Sequence, residues 1–259
     1  MVPRLLLACV VLVVSSRLPA AESAPPPRTL VAVHGAWAGG WHFKKMAPLL
    51  EARGWKVYRP SLSGLGEHFH SARPDIGLAT SMDDIVIFIL FEDLHDVVLL
   101  GHSYGGMVIT GVADRIPDRI ARLVYLEAAL PNDGESLFSL RKGPRAELEK
   151  TTKDGFIVPN WGRPGKPPPI DVPQPVKTFS DPLALKNQSA AAKIPGTYIL
   201  TVEPGKSPEQ DDFFAASERA RARGWPVIVI PGDHNPQWRQ PEVVVDLLLA
   251  LPIGTNPAR

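Results

Sequence analysis

The chain reads as an α/β protein, a mostly parallel sheet of about six strands with helices on both faces, and three observations carry that reading. Short apolar, β-rich runs alternate with segments of helical spacing along most of the chain, which is the pattern of βαβ units. One of these runs, Val97-Val98-Leu99-Leu100, ends in Gly101-His102-Ser103-Tyr104-Gly105-Gly106 and leads at once into a second apolar segment, so a buried strand turns sharply into a helix. A single long stretch, Leu130 to Pro195, breaks the alternation and is rich in proline. The length of 259 residues suits one domain, and a hydrophobic content of 44% is enough to fill its core.

Thr29 to His34 is the first expected strand, followed by the glycine-rich turn His34-Gly35-Ala36-Trp37-Ala38-Gly39-Gly40-Trp41. Phe43 to Arg53 carries Met46, Leu49 and Leu50 at helical spacing and stops at Gly54. Trp55 to Pro60 is the second strand and Ser61 to Asp75 a loop. Thr80 or Ser81 is positioned to cap a helix from Met82 to Asp93. The helix after Ser103 ends near Ile116-Pro117. Arg122 to Ala128, Thr197 to Val202 and Pro226 to Ile230 complete the strands, with helices over Gln210 to Arg223 and Gln240 to Leu251. The insertion, residues 131–195, falls between two strands and holds apolar anchors including Leu137, Phe138, Phe156, Trp161 and Phe179. It is therefore expected to be a folded cap over the C-terminal edge of the sheet rather than a linker.

Residues 1–24 have the layout of an export signal: basic Arg4, the apolar run Leu5 to Val14, then small residues from Ala20 to Ala24. The run is short for a membrane span, and the protein is expected to be secreted or periplasmic, with residues 25–259 as the mature domain and no stable membrane insertion. Leu6-Leu7-Ala8-Cys9 looks like a lipoprotein box but lies inside the apolar run. Cys9 is the only cysteine, so the mature chain has no disulfide, thiol nucleophile or cysteine metal site. Loss of Arg4, Arg17 and Glu22 with the leader balances the remaining formal charges. With no basic patch, nucleic acid is not an expected partner, and a small, weakly charged molecule is.

The chemistry centres on Ser103. Gly101 and Gly105 flank it at i−2 and i+2, where a tight strand-to-helix turn leaves no room for a Cβ, and the turn exposes the hydroxyl beside a helix N-terminus. A serine nucleophile needs a base, an orienting acid and an oxyanion hole. His234 follows the last apolar run in Pro231-Gly232-Asp233-His234-Asn235-Pro236, and parallel strands bring their C-terminal ends to one edge. His34 and His102 are expected to pack locally, and His42 and His95 sit in or beside helices. His68 and His70 are spaced as a metal pair, but no carboxylates complete a site. The oxyanion amides are expected at Tyr104 and at Ala36, with Trp37 the alternative to Ala36. Trp37, Phe156 and Trp161 are the expected pocket wall.

These motifs, in the order H-G-A-W-A-G-G-W, G-H-S-Y-G-G-M-V, V-Y-L-E-A-A-L-P-N-D-G-E-S and G-D-H-N-P, resemble the α/β-hydrolase superfamily from about residue 28 to 251. The resemblance is strongest to its compact branch of bacterial esterase-like hydrolases, plant methylesterases and hydroxynitrile lyases. It implies the α/β-hydrolase fold, a Ser–His–acid triad, no metal and no organic cofactor. It also implies a carboxylic ester hydrolase that turns over small to medium apolar substrates through an acyl-enzyme. Related plant enzymes carry an aspartate after the strand matching Thr197 to Val202. Here that loop reads Val202-Glu203-Pro204-Gly205-Lys206-Ser207, with no aspartate before Asp211. The acid is expected at Glu127, which ends the strand after the nucleophile strand, a position that haloalkane dehalogenases of the same superfamily can use; Glu203 and Asp233 are the alternatives. A lyase using the same triad and a non-catalytic binding protein are the rival readings, the former weakened because no lysine is assignable near the serine.

Overall fold

The computed structural model describes residues 28–141, 150–161 and 165–252. The leader expected over residues 1–24 lies outside them. Six strands form one sheet in the order β2-β1-β3-β4-β8-β9. They are β1 (Thr29–Val33), β2 (Lys56–Tyr58), β3 (Val97–Ser103), β4 (Ile120–Ala128), β8 (Gly196–Val202) and β9 (Val227–Pro231). Every neighbouring pair in the sheet is parallel. β3 and β4 are central and almost wholly buried, which is why their sequences are continuous apolar runs instead of alternating ones.

Alternation along these strands feeds two cores. Val31, Leu99, Leu123 and Tyr125 face the helices α2 (Leu78–Phe91) and α3 (Gly105–Arg115). Leu30, Val98, Leu100, Val124 and Leu126 face Phe43, Met46 and Leu50 on one side of the chain and Val244 and Leu248 of the closing helix (Pro241–Ala250) on the other. One sheet with helices on both faces follows directly from this pattern.

Three helix starts differ from expectation, one of them the helix expected from Gln210, which begins only at Phe214 after a 3-10 turn at Pro208–Gln210. Pro48 has no amide to give to a helix interior, so the first α-helix begins only at Ala47 and runs to Glu51, after a separate 3-10 turn at Gly40–Phe43. α2 begins at Leu78 after Gly77, placing Thr80 and Ser81 inside it. Ser81 is buried and accepts a hydrogen bond from the Tyr104 hydroxyl at 3.0 Å, so its side chain serves a tertiary contact and not a cap.

The segment between β4 and β8 is folded. It contains a helical turn at Leu137–Leu140, a small antiparallel sheet of β5 (Thr152–Lys153), β6 (Phe156–Ile157) and β7 (Gln174–Pro175), and short helices at Lys177–Ser180 and Gln188–Ala191. Phe179 and Leu183 bury themselves against the main core, which anchors the segment to the sheet edge.

The turn between β3 and α3 is as tight as its glycines require. A Cβ on Gly101 would stand 2.7 Å from the Gly105 carbonyl oxygen, and one on Gly105 would stand 2.5 Å from the Val33 oxygen and 2.9 Å from the His34 oxygen. Those obstacles are backbone, so the strand and helix must separate to admit a methyl group. Gly105→Ala is expected to cost about 1–3 kcal/mol by overpacking, read as a lowered midpoint in thermal or urea unfolding.

Candidate active site

Ser103 ends β3 with φ +55°, a left-handed conformation that non-glycine residues rarely adopt. The strained turn lifts its side chain from the strand into a cavity of about 960 Å³. Tyr104 follows with helical dihedrals, so its amide stands at the N-terminus of α3, while its ring turns inward to Ser81 and stacks on Phe179. A helix N-terminus presents unpaired amides and a positive dipole end, the environment that favours a developing oxyanion.

The turn after β1 supplies the opposite wall. Trp37 has φ +63° and is held by the cap: its amide donates to Gln174 Oε1 at 2.7 Å, its indole to the Ile157 carbonyl at 3.1 Å, and its carbonyl accepts from Val172 at 2.8 Å. Gln174 is fully buried and its amide nitrogen donates to Thr178. With the Trp37 amide committed, Ala36, which also lines the cavity, is the residue of this turn left to offer an amide. Gln174 gave no sequence signal, because a lone glutamine in a proline-rich segment looks like any exposed polar residue.

His234 is the only histidine among the described residues that lines this cavity. Burial explains the exclusion of three others. It pushes His34 down to about 4 and His42 down to about 3, and lowers His102 well below the usual histidine range, so all three are neutral parts of the interior. His34 does pack locally, its ring nitrogens meeting the Gly35 carbonyl and the Leu62 amide. His102 does not: its Nε2 donates to the His234 carbonyl at 2.7 Å, tying β3 to the loop after β9. The His234 ring stacks flat on Phe213 at 5.1 Å.

The three candidate acids separate clearly. Glu127 is 1% exposed, and its Oε1 lies 3.9 Å from His234 Nδ1 while Oε2 accepts the Thr201 amide at 2.6 Å. The 3.9 Å separation is ion-pair range and longer than a hydrogen bond. Glu127 reaches this place through a bulge: His102 pairs with Leu126 and Ser103 with Ala128, leaving Glu127 as the extra residue, at φ +47°. A bulge redirects the side chain it displaces, here out of both cores and toward the strand end. Glu203 is a half-exposed rim residue paired with Lys206 at 2.7 Å. Asp233 accepts from the Asn235 amide at 2.9 Å and pairs with Arg239 at 3.2 Å, facing away from the base it adjoins.

The remaining wall is aromatic. Trp37 meets Trp161 edge-on at 4.9 Å and Phe179 at 5.4 Å, and Phe138 packs on Phe179 at 5.7 Å. Ile157 lines the cavity where Phe156 was expected, since adjacent strand residues point to opposite faces. The cap therefore shares one cavity with Ser103 and His234. Lys150 and Lys206 also reach its wall, which the sequence did not place there. A second carboxyl, Asp211, lines it too, near enough to Glu127 that the Glu127 charge helps to raise it. Among the described residues no cluster of His, Cys, Asp and Glu could hold a metal ion, and no helix is long and apolar enough to cross a membrane.

A parallel sheet with a glycine-flanked serine turn, and a histidine and a carboxylate at the same edge, defines the hydrolase class of α/β proteins. The chain belongs to the alpha/beta hydrolase family, matched over residues 30–247. It is 35% identical over 241 residues to a carbendazim hydrolyzing esterase from a Nocardioides species, covering 85% of this chain and 98% of that protein. It is 27% identical to the pFDCC methylesterase MES16 of Arabidopsis thaliana, over 87% of this chain and 95% of the plant protein. Among solved structures it resembles an extracellular alpha/beta-hydrolase from a Paenibacillus species, described as sharing structural and functional homology with tobacco salicylic acid binding protein 2. The TM-score is 0.71 at 24% identity, over 86% of this chain and 98% of that one.

Proposed function

We propose that this carboxylic ester hydrolase works by nucleophilic catalysis from Ser103, with His234 as general base and acid, Glu127 as the orienting carboxylate, and the Ala36 and Tyr104 amides as the oxyanion hole. The Ser103 hydroxyl attacks the ester carbonyl as its proton passes to His234. The tetrahedral oxyanion collapses, the alcohol leaves with the proton from His234, and an acyl-Ser103 ester remains. Water, deprotonated by His234, then releases the acid and restores the serine. The observation that carries this reading is Ser103 at φ +55° in a cavity whose one histidine faces a buried glutamate.

The aromatic wall and the volume of the cavity support small to medium, largely apolar substrates. The relatives named as a carbendazim hydrolyzing esterase and a pFDCC methylesterase support ester cleavage at this site. The leader-like residues 1–24 favour a secreted or periplasmic enzyme, checked by fractionation and N-terminal sequencing of the mature protein.

Turnover of p-nitrophenyl acetate and butyrate, with a serine-directed fluorophosphonate followed by mass spectrometry, tests the mechanism. Ester hydrolysis and a label on Ser103 are expected. Labelling elsewhere removes Ser103 from the role, and ligand binding without turnover supports a non-catalytic protein. The lyase reading calls for a cation beside the serine; Lys150 and Lys206 both reach the cavity wall, Lys206 in its pair with Glu203.

Trp161 bears on specificity. It is 55% exposed, anchored by its indole N–H to Asp171 Oδ2 at 2.7 Å, and leans on Trp37. Trp161→Ala is expected to leave unfolding nearly unchanged and to shift the ratio of kcat/KM between long and short acyl chains by about tenfold, the scale of one lost apolar pocket contact. A p-nitrophenyl ester series from acetate to decanoate reads it.

A further inference from the structure

We infer that Asp211 is a positioning residue of this site: lining the same cavity as Glu127 from the loop after β8, it donates a hydrogen bond that fixes the carboxylate facing the His234 ring, an inference that rests on the triad proposed above. Glu127 sits in an apolar strand end where water does not steady it. One oxygen is held by the Thr201 amide, and the other faces His234 Nδ1. Asp211 supplies a further contact from outside the sheet. Its Oδ1 accepts the Phe213 amide at 2.7 Å, and the Phe213 ring lies flat on the His234 imidazole. One short segment, residues 211–213, thus touches both the acid and the base.

Two carboxyl groups share a hydrogen bond only with a proton between them. Burial, and then the Glu127 charge, push Asp211 up to about 6. Below that pH Asp211 keeps its proton and donates, and Glu127 keeps the charge; above it the pair becomes a dianion and the bond is lost. The other charged and titratable groups around the pair are Asp212 and Lys206 on the same loop, His234, and Tyr198 of β8. Tyr198 is neutral, because burial raises its phenol well above the usual range, and its hydroxyl donates to the Ala128 carbonyl.

The test has a spectroscopic arm and a kinetic arm. Carboxyl-carbon NMR of the full-length protein is expected to show Asp211 titrating near pH 6, and to show that midpoint falling by on the order of one pH unit in Glu127→Gln. An unmoved midpoint overturns the pairing. This arm needs no turnover, so a protein that hydrolyses no ester would count against the triad while Asp211 is still decided. In the kinetic arm, read below pH 6 where Asp211 keeps its proton, Asp211→Ala is expected to lower kcat about tenfold with KM unchanged. Asp211→Asn, which keeps a donor without a charge at every pH, should stay within about twofold below pH 6 and lack the inflection that Asp211 adds to the wild-type profile beside that of the base. Wild-type kcat in Asp211→Ala overturns the inference, and so does a loss in Asp211→Asn equal to that of Glu127→Gln, which would make Asp211 the triad acid. Should Asp211→Ala not fold, the inflection in Asp211→Asn decides alone.

Discussion

Ser103→Ala is expected to lower kcat for ester hydrolysis by about 10⁴-fold or more, with circular dichroism and unfolding midpoint close to wild type. The size follows from what the serine does. In the proposed mechanism it converts one attack of water on an ester into two easier steps, and neither His234 nor the proposed oxyanion amides can form the acyl intermediate without it. The small expected effect on stability follows from the turn. Alanine at φ +55° bears the same backbone strain as serine, and the glycines that make the turn possible are untouched. KM should change little, since the aromatic wall from Trp37 to Phe179 is untouched by the substitution. The same variant should resist labelling by the fluorophosphonate. A folded Ser103→Ala protein keeping more than a tenth of the wild-type rate would remove Ser103 from the mechanism.

Much of this arrangement was legible in the sequence because it is written in local patterns. β3 and β4 are central, so their burial on both faces appears as unbroken apolar runs, and the elbow appears as two glycines at fixed offsets from one serine. His234 was legible as a histidine in the loop after the last strand. What the sequence hides is set by contacts between distant segments. The Glu127 bulge depends on how β3 and β4 pair, and neither strand alone shows it. His102 looks like a residue that merely precedes the nucleophile, and only the docking of the β9 loop gives its ring the His234 carbonyl. Asp211 follows a loop whose prolines and glycine conceal its return toward β4; its doublet with Asp212 was the available hint. Cap contacts such as Gln174 with Trp37 join residues 137 positions apart in a segment without periodicity. The choice of Ile157 over Phe156 turns on a strand only two residues long.

Glu127→Gln is expected to lower kcat by about 10³- to 10⁴-fold with little change in KM, while Glu203→Gln stays close to wild type. The two residues differ in what their charge meets. Glu127 is almost fully buried, and burying a carboxylate is costly unless a partner offsets it. Its partners are the Thr201 amide, the Asp211 carboxyl and, 3.9 Å away, His234 Nδ1. That last distance exceeds a hydrogen bond, and catalytic hydrogen bonds commonly tighten when substrate binds. In the proposed mechanism the attraction grows as His234 takes the serine proton, because the ring then carries a positive charge beside a buried carboxylate. Glutamine matches glutamate in shape and still accepts the Thr201 amide, so the fold is expected to survive. It supplies no charge for the imidazolium and can present an N–H where an acceptor is needed to fix the ring tautomer, and the loss falls on kcat. Glu203, half-exposed and paired with Lys206, forfeits at most a surface ion pair worth about 0–1 kcal/mol. Steady-state kinetics of both variants on p-nitrophenyl butyrate distinguish the roles: a collapse of kcat in Glu203→Gln with a near-normal Glu127→Gln would transfer the acid to the rim loop.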